Sequence, residues 1–568
     1  MRLIFDIETD GLLKNLKTLH CIVAVDADTN QVHEFPPDKL KDGLVFLSEA
    51  DQLIGHNIME FDIPAIKKLR PRWVETGQIW DTLVISRLLW PERDSHSLES
   101  WGYTLNNRKA ESPEVWTEYT EEMLSYCKQD VLLTRDLFNH IQRTESSSQA
   151  VDLEHEIQRI CLSQTKVGIP FDEQKAQKLY AKLSTQRHEL EEELKKTFGS
   201  WWVSRGVHYP LVNNKSRGIT KGCEYERIER IEFNPRSRDH IALCLQKKYD
   251  WKPKLLTPKG KPRVDEEVMS MLEFPEAKLL EKYLMIQKRI SQLAEGSQAW
   301  LKCVTKEGTI HGRVRTQGAV TARATHSHPN LAQVPSVRVP FGKECRELFY
   351  ATPNTVFVGA DLSGLELRCL AHYMGRFDGG EYTQKLLEGD IHTENQRAAG
   401  LETRDQAKTF IYGFLYGAGN LKVGQIVGKG AKAGAALRRK FLSQLPALKK
   451  LQDAVSERAK QGFILGLDGR KIPIRHQHAA LNTLLQSAGA IICKEWVVMI
   501  NKLADDHMIQ GHQRLWIHDE VQWIVNRGIE NRLGELMIQA AREVAVKLKL
   551  RCPLDADFKV GQTWAETH

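Results

Sequence analysis

Short apolar runs separated by polar turns open the chain. Residues 3–5 and 21–25 are dense in the apolar and β-branched side chains of buried strands, with a glycine-containing turn between them. Apolar residues at helical spacing follow over residues 63–69. This pattern predicts an α/β domain over residues 1–145.

Long helical patterns dominate residues 146–304. Asp172 can cap a helix that ends near Gly199, because apolar side chains recur on one face between them. A second helix is predicted over residues 279–293 by the same spacing. Between the two helices, the basic and glycine-containing segment near 203–232 predicts an irregular projecting arm.

Strands and helices mix again in the remainder of the chain. The pattern predicts a buried strand over residues 355–360 and a helix over residues 404–418. Two further apolar strands, 515–517 and 521–525, flank a polar tip at residues 518–520. Hydrophobic patterning therefore predicts a multidomain α/β and α+β protein.

Length and composition agree with that organisation. A chain of 568 residues is too long for one hydrophobic core and suggests about three to five units. Hydrophobic residues make up 41% and charged residues 27%, which excludes wholesale disorder.

Charge is divided unevenly along the chain. Residues 1–140 contain 15 Lys and Arg against 24 Asp and Glu. The whole chain carries +7, so residues 141–568 carry a net charge of +16. A basic body beside an acidic domain suits a polyanion-binding protein whose carboxylates hold metal ions, although a solvated basic surface explains the composition equally well.

Cysteine spacing and hydropathy favour a cytoplasmic protein. The 10 cysteines include no Cys-x-x-Cys pair, so neither a zinc site nor a disulfide framework is expected. The longest apolar stretch, residues 488–500, is interrupted by Lys494 and Glu495. The first residues read as a strand, and we expect neither secretion nor a membrane partner.

Two aspartates lie at predicted strand ends in the C-terminal region. Asp361 ends the strand at 355–360, and Asp519 lies in the polar tip with Glu520. Carboxylates on rigid elements are what a pair of Mg²⁺ ions needs for phosphoryl transfer. Either aspartate alone is equally well explained as a turn or capping residue.

One face of the helix at 404–418 carries nucleotide-binding chemistry. Arg404, Lys408, Tyr412 and Tyr416 follow one another at four-residue spacing, so they share a face. The two cations suit phosphates and the two rings suit a sugar and a base, with Gly413 leaving space. A solvated amphipathic helix is the alternative.

Together these segments resemble motifs A, B and C of the family A DNA polymerases. The matching residues are Asp361-x-Ser-x-x-Glu366-x-Arg368, Arg404-x-x-x-Lys408-x-x-x-Tyr412-Gly413-x-x-Tyr416 and His518-Asp519-Glu520. The resemblance implies a right-hand polymerase with a thumb at 146–304, a palm at 305–375 and 479–568, and fingers at 376–478.

The resemblance also implies a role for each matching residue. Asp361 and Asp519 would hold two Mg²⁺ ions, with Mn²⁺ as a substitute and Glu520 close behind. Arg404, Lys408 and His392 would contact the incoming triphosphate. Glu366 would exclude a ribose 2′-hydroxyl, Tyr412 would contact the sugar and Tyr416 would lie near the templating base.

Three further residues match the family's minor-groove contacts. Arg323 lies in Thr321-Ala322-Arg323, where the family has Thr-Gly-Arg, so Ala322 is a departure. Asn482 and Gln486, one helical turn apart, match the other two contacts. Donors at these positions check base-pair geometry without reading sequence. The end of the chain, from Trp564 to His568, also resembles that of phage members.

Carboxylates recur in order in the N-terminal domain. The set is Asp6 and Glu8 on one strand face, Asn57 with Asp62, and Tyr126 with Asp130 on one helix face. It resembles the RNase H-like DEDDy 3′→5′ exonucleases, which implies two metal ions on Asp6, Glu8, Asp62 and Asp130 and a water oriented by Tyr126. An inactive proofreading domain is the alternative.

Within family A, the chain resembles the replicative polymerases of T-seven-type bacteriophages. The resemblance implies primer–template DNA and deoxynucleoside triphosphates as ligands, phage helicase–primase and single-strand-binding protein as partners, and a monomer. The insertion that recruits thioredoxin in that type is short here, so thioredoxin dependence is not expected. A repair or translesion polymerase is the alternative, as is a nuclease whose polymerase body only binds DNA.

Overall fold

The chain forms two compact units in the computed structural model, which describes residues 1–567. The first unit comprises residues 1–169, 311–333 and 350–567, and the second comprises residues 170–310 and 334–349. His568, the last residue of the C-terminal resemblance, lies outside the described residues.

A five-stranded mixed sheet forms the N-terminal part of the first unit. The strand order is β3-β2-β1-β4-β5, with β1 antiparallel to β2 and parallel to β4. The strands are β1 (Arg2–Thr9), β2 (Leu19–Asp26), β3 (Val32–Phe35), β4 (Gln52–Gly55) and β5 (Gln78–Asp81). The helices are α1 (Leu40–Ser48), α2 (Asp62–Leu69), α3 (Thr82–Leu89), α4 (Leu98–Leu105), α5 (Glu121–Gln142) and α6 (Ser148–Val167).

Alternation along β1 divides its side chains between two cores. Leu3, Phe5 and Ile7 join one apolar cluster, whereas Ile4 joins the cluster that contains Val131 of α5. Because side chains on a strand alternate, Asp6 and Glu8 lie on the α5 side with Ile4. This alternation brings the carboxylates of β1 towards α5.

The second unit is mainly helical. Its helices are α7 (Glu173–Phe198), α8 (Arg238–Tyr249), α9 (Glu266–Ser270), α10 (Pro275–Ile290), α11 (Trp300–Cys303) and α12 (Gly342–Arg346). A π-helical turn, Ser291–Glu295, extends α10. Strands of this region are β6 (Ile169–Pro170), β7 (Ser200–His208), β8 (Tyr225–Glu232) and β9 (Thr309–Ile310). Asp172 caps α7 by accepting from Lys175 N–H at 2.9 Å, and Gly199 ends it at φ +64°, as predicted.

The prediction of an irregular arm near 203–232 is wrong. The segment forms an antiparallel hairpin, in which β7 pairs with β8 along most of their length. The register shifts between Ser204 and Val207, around Gly206 at φ +88°. This bulge interrupts the period-two alternation by which a strand is recognised in a sequence.

The rest of the first unit is built on a four-stranded antiparallel sheet of order β15-β16-β12-β17. Its strands and the small hairpins beside it are β10 (Arg313–Arg315), β11 (Thr325–Ser327), β12 (Thr355–Leu362), β13 (Phe463–Leu465), β14 (Lys471–Pro473), β15 (Gly511–Ile517), β16 (Glu520–Asn526) and β17 (Ala556–Gly561). The helices are α13 (Leu365–Asp378), α14 (Glu381–Glu388), α15 (Ile391–Ala399), α16 (Arg404–Leu415), α17 (Asn420–Gln425), α18 (Ala431–Gln444), α19 (Pro446–Ala459), α20 (Ala480–Asp506) and α21 (Glu530–Lys547).

Helix α20 is the central core helix of this region. Among the described residues, one helix, Gln477–Asp506, is long and apolar enough to cross a membrane, and 78% of its most apolar window is buried inside the protein. Lys494 and Glu495, which interrupt the apolar run, are themselves almost fully buried. Its apolarity is therefore that of a core helix.

Candidate functional site

Three carboxylates meet at one end of the sheet formed by β12 and β16. Asp361 of β12 lies directly opposite Glu520 of β16. A two-residue turn, His518–Asp519, joins β15 to β16, and Leu362 N–H donates to the Asp519 carbonyl oxygen at 3.1 Å. The predicted three-residue tip is therefore a tighter turn, with Glu520 buried as the first residue of β16.

The carboxylates at this sheet end repel one another. Loss of hydration in the cleft, with Asp519 and Glu520 nearby, raises the pKa of Asp361 to about 8. Loss of hydration and the charge of Glu366 raise the pKa of Asp519 to about 6. A cluster of carboxylates that destabilise each other's charge fits the binding of divalent cations.

Helix α16 begins with a capping box between Thr403 and Gln406 and ends at Leu415. It is shorter than the predicted 404–418, so Tyr416 follows the helix as its C-cap residue. Arg404 and Lys408 are exposed, whereas Phe410, Ile411, Phe414 and Leu415 are buried, which gives the helix the predicted polar face.

The cationic end of α16 faces the start of α15. Arg404 donates to the two carboxylate oxygens of Asp390 at 2.6 and 3.2 Å. His392 lies beside Tyr412, with 6.2 Å between ring centres, and its buried Nδ1 has no hydrogen-bond partner in the described residues. Burial and the nearby Arg404 and Lys408 lower the pKa of His392. The three predicted phosphate contacts therefore converge.

Glu366, Tyr416 and Arg323 line a cleft of about 290 Å³ together with Asp519. Tyr416 donates its hydroxyl to Glu366, and the Arg323 guanidinium carbon lies 6.0 Å from the Tyr416 ring centre. Asn482 Nδ2 donates to the Tyr416 carbonyl oxygen at 3.3 Å, and Gln486 Nε2 donates to Asn482 Oδ1 at 2.8 Å. One continuous network thus joins the predicted DNA contacts to the predicted nucleotide contacts.

A second acidic site lies between β1, α2 and α5. Asp62 begins α2, and its Oδ1 accepts a hydrogen bond from Ile7 N–H at 3.3 Å. Asp6 is hydrogen-bonded to Asp62, and Asp130 lies near enough to both Asp6 and Glu8 to raise their pKa values. Four carboxylates from three separate segments are therefore brought together, as the sequence predicts.

Burial makes the charges of this site costly. Burial and the neighbouring Asp6 raise the pKa of Glu8 to about 9, and burial raises that of Asp62 to about 7. Asp130 Oδ1 is buried and has no hydrogen-bond partner in the described residues. An unpartnered buried carboxylate oxygen among three further carboxylates fits a cation site.

Asn57 and Tyr126 frame the acidic site. Asn57 adopts φ +70°, and its N–H donates to Asp81 Oδ1 at 2.9 Å, so it shapes the turn that leads to Asp62. Tyr126 lies one helical turn before Asp130 on α5, and its ring packs edge-on against Trp116 with 5.9 Å between ring centres.

The sequence matches two family descriptions that coincide with these two sites. Residues 214–566 match DNA polymerase family A, and residues 3–142 match the RNase H superfamily. The chain belongs to DNA polymerase family A. This family A polymerase thus joins an RNase H-like domain to a polymerase domain.

Two relatives that align with this family A polymerase over its whole length come from bacteriophages. It is 37% identical to the DNA-directed DNA polymerase of Enterobacteria phage T3 and 36% identical to that of Escherichia phage T7, with all of each chain covered. The structure resembles the POL domain of Pol1 from M. smegmatis in complex with DNA primer-template and dNTP. That likeness has a TM-score of 0.78 at 19% identity, covers 100% of this chain and 96% of the other, and concerns the fold.

Sequence reasoning missed two charged residues beside these sites. Asp557 of β17 lies opposite Asp361 and accepts from the Ser363 hydroxyl at 2.7 Å. Lys109 forms an ion pair of 2.6 Å with Asp130. Neither residue belongs to a local motif, because the pairing of β17 and the position of Lys109 depend on distant parts of the chain.

Trp564 of the C-terminal segment contacts the polymerase site. Its indole N–H donates to Glu520 Oε1 at 2.5 Å, and Gln522 Nε2 donates to the same oxygen at 2.9 Å. These donors hold the Glu520 carboxylate in the buried position behind the turn.

Proposed function

We propose that this family A polymerase extends a primer 3′ end on a DNA template and removes mispaired 3′ nucleotides in the 3′→5′ direction, replicating a phage genome in the cytoplasm of the infected host. The observation that carries the proposal is that one cleft is lined by Asp519 of the carboxylate cluster and by Glu366, Tyr416 and Arg323. The phage relatives, aligned over the whole chain, support the setting.

In the polymerase site, Asp361 and Asp519 would hold two Mg²⁺ ions, with Mn²⁺ as a substitute, and Glu520 would lie behind them. Bound there, the ions would supply Lewis-acid activation and charge neutralisation for phosphoryl transfer. The raised pKa values of Asp361 and Asp519 support this assignment, because a cation would relieve their repulsion.

Side chains of α16 and of the start of α15 bind and orient the triphosphate. Arg404, Lys408 and His392 neutralise its phosphates and the departing pyrophosphate. Arg404 exchanges its bidentate contact with Asp390 for a phosphate, two oxygens of which can accept from the same guanidinium N–H groups.

Residues that line the 290 Å³ cleft, together with Tyr412, Asn482 and Gln486, select the nucleotide. Glu366, held by the Tyr416 hydroxyl, leaves no room for a ribose 2′-hydroxyl. Tyr412 contacts the sugar, and Tyr416 packs near the templating base. The donors Arg323, Asn482 and Gln486 face minor-groove acceptors that correct base pairs share.

In the nuclease site, Asp6, Glu8, Asp62 and Asp130 would hold two divalent ions, and Tyr126 would orient the attacking water. A frayed 3′ terminus is the substrate, since a single-stranded end can reach a buried carboxylate cluster and a paired end cannot. This cluster and the polymerase carboxylates are carried by different sheets, which supports two distinct activities.

The ligands we propose are primer–template DNA and deoxynucleoside triphosphates, which the structural neighbour binds according to its description. Phage helicase–primase and single-strand-binding protein are proposed partners of a monomer. Thioredoxin is not expected to be required, because a hairpin occupies the place of the long insertion.

The test is a reaction of the purified chain with a 5′-labelled primer on a longer template. With Mg²⁺ and all four deoxynucleotides, the primer is extended to the template end. Without nucleotides it is shortened from its 3′ end, and a terminal phosphorothioate linkage slows the shortening. If the same products form when Mg²⁺ is omitted and EDTA is present, the metal-dependent mechanism is refuted.

A further inference from the structure

A lysine occupies the acidic site of the RNase H-like domain. Lys109 Nζ lies 2.6 Å from Asp130 Oδ2 and 4.8 Å from the centre of the Tyr126 ring. The side chain of Lys109 is 25% exposed and that of Asp130 is 7% exposed, so water screens this pair weakly. The ammonium thus touches two of the residues proposed to hold metal and water.

The backbone places Lys109 there. Gln129 Nε2 donates to both Asn107 Oδ1 and the Arg108 carbonyl oxygen at 2.7 Å. Asn107 Nδ2 donates to Asp136 Oδ2, also at 2.7 Å. Gln129 and Asp136 belong to α5, the helix that carries Tyr126 and Asp130. The two residues before Lys109 are therefore fixed to the same helix as the site.

The negative charges of the nuclease carboxylates are compensated by one positive side chain. In the ion pairs of the described residues, Lys109 is the single Lys or Arg that pairs with any of Asp6, Glu8, Asp62 and Asp130. Its contact occupies Asp130 Oδ2, while the buried Asp130 Oδ1 has no hydrogen-bond partner among residues 1–567. One of the two oxygens of the Asp130 carboxylate is therefore already in contact with a cation of the protein itself.

We propose that Lys109 is the internal counter-ion of the nuclease site and competes with a divalent cation for Asp130, so that it sets the metal affinity of this site. An ammonium and a divalent cation repel one another strongly when both contact one carboxylate of low exposure. Lysine has a flexible four-carbon stem and can withdraw, which makes the competition reversible. The inference rests on the proposed nuclease function of the same carboxylates.

The test measures Mn²⁺ binding by electron paramagnetic resonance, without reference to activity. The full chain carries Asp361→Asn and Asp519→Asn, so that the nuclease carboxylates dominate binding. Lys109→Gln is expected to bind Mn²⁺ about ten-fold more tightly or better, and Lys109→Met, which keeps an apolar stem beside Tyr126, the same. Lys109→Arg, which restores the charge, is expected to bind within about two-fold of the parent.

The matched control is Lys128→Gln. Lys128 lies on α5 and pairs with Glu34 at 2.7 Å, with both side chains over a third exposed, so its loss should leave Mn²⁺ affinity within about two-fold of the parent. Unchanged or weaker binding in both Lys109→Gln and Lys109→Met would overturn the inference. If Asp6→Ala with Glu8→Ala binds Mn²⁺ as the parent does, the metal site itself is refuted, and the inference falls with it.

Discussion

Ala322 occupies a backbone position that favours glycine. Its φ is +62°, and the family A motif that it resembles has glycine at this place. The left-handed conformation costs an alanine about 1 kcal/mol of stability, and a glycine avoids this cost. Part of the gain is lost because a glycine makes the unfolded chain more flexible. Ala322→Gly is therefore expected to stabilise the protein by about 0.5 kcal/mol, seen as a raised unfolding midpoint.

The control for Ala322→Gly is Ala319→Gly in the same loop. Ala319 is not among the residues with positive φ, so glycine there should lower the unfolding midpoint. A lower midpoint for Ala322→Gly as well would mean that the left-handed backbone at this position costs alanine nothing.

Asp361 is expected to make the metal-free protein less stable as pH rises. The pKa of Asp361 in the folded protein, about 8, lies above its ordinary value. The favourable contribution of Asp361 to the free energy of unfolding is therefore complete below about pH 4 and is lost as the pH rises through about 8. Asp361→Asn removes this loss. In EDTA, its unfolding midpoint should exceed that of the parent by more at about pH 9 than at about pH 6.

Saturating Mg²⁺ provides the control for this pH dependence. A bound cation stabilises the ionised carboxylate, so the advantage of Asp361→Asn should shrink or reverse when Mg²⁺ is present. In EDTA, the difference in unfolding midpoint between Asp361→Asn and the parent could instead be equal at both pH values. That result would show that Asp361 is not forced towards its neutral form.

Helix α6 is joined to the polymerase domain by a buried ionic cluster. Glu154 of α6 accepts from both Arg470 and Lys494, and Arg470 also donates to Asp468 at 2.6 Å. All four side chains are at most 5% exposed. The cluster explains why an apolar run in the sequence contains a lysine: Lys494 is buried with a partner from a distant helix.

Removing Glu154 should destabilise the protein strongly. Glu154→Gln leaves two buried cations without a full counter-charge, which costs about 3 kcal/mol or more. Glu156→Gln on the same helix, whose partner Arg159 is exposed, should cost under about 0.5 kcal/mol. The unfolding midpoints of the two variants provide the comparison, and equal shifts would contradict a stabilising cluster.

Elements with local signals are predictable from the sequence, and those set by distant pairing are not. The capping aspartate and C-terminal glycine of α7 fix both of its ends. The β7–β8 hairpin escapes prediction because a bulge at Gly206 breaks its alternation. The turn at 518–519 is tighter than predicted because the register of β15 and β16 includes Glu520 in the sheet.

In the two candidate sites too, residues with a local sequence signal are predictable and residues placed by distant pairing are not. Motif residues such as Asp361 and Arg404 are recognisable because each lies on an element with a clear period. Asp557 and Lys109 are not, since β17 joins the sheet beside a strand about 200 residues earlier and Lys109 lies in a segment without periodicity. Long-range packing brings these two charged residues to the sites and leaves no local pattern.

We expect the full chain to synthesise DNA without thioredoxin. The hairpin and its connection extend only over residues 200–232, whereas the alignments with the phage relatives extend over 704 and 707 positions against 568 residues here. Product length in a single binding event, measured with a DNA trap, should be the same with and without thioredoxin. Longer products with thioredoxin would show that the hairpin suffices as a docking site.

We expect one chain to hold two independent active sites. A 5′-labelled primer–template is incubated with Mg²⁺, with and without nucleotides, and with either of two variants. We predict that Asp361→Asn abolishes extension and still shortens the primer, and that Asp6→Ala with Glu8→Ala extends the primer and no longer shortens it. Loss of both activities in either variant, in folded protein, would contradict the two-site account.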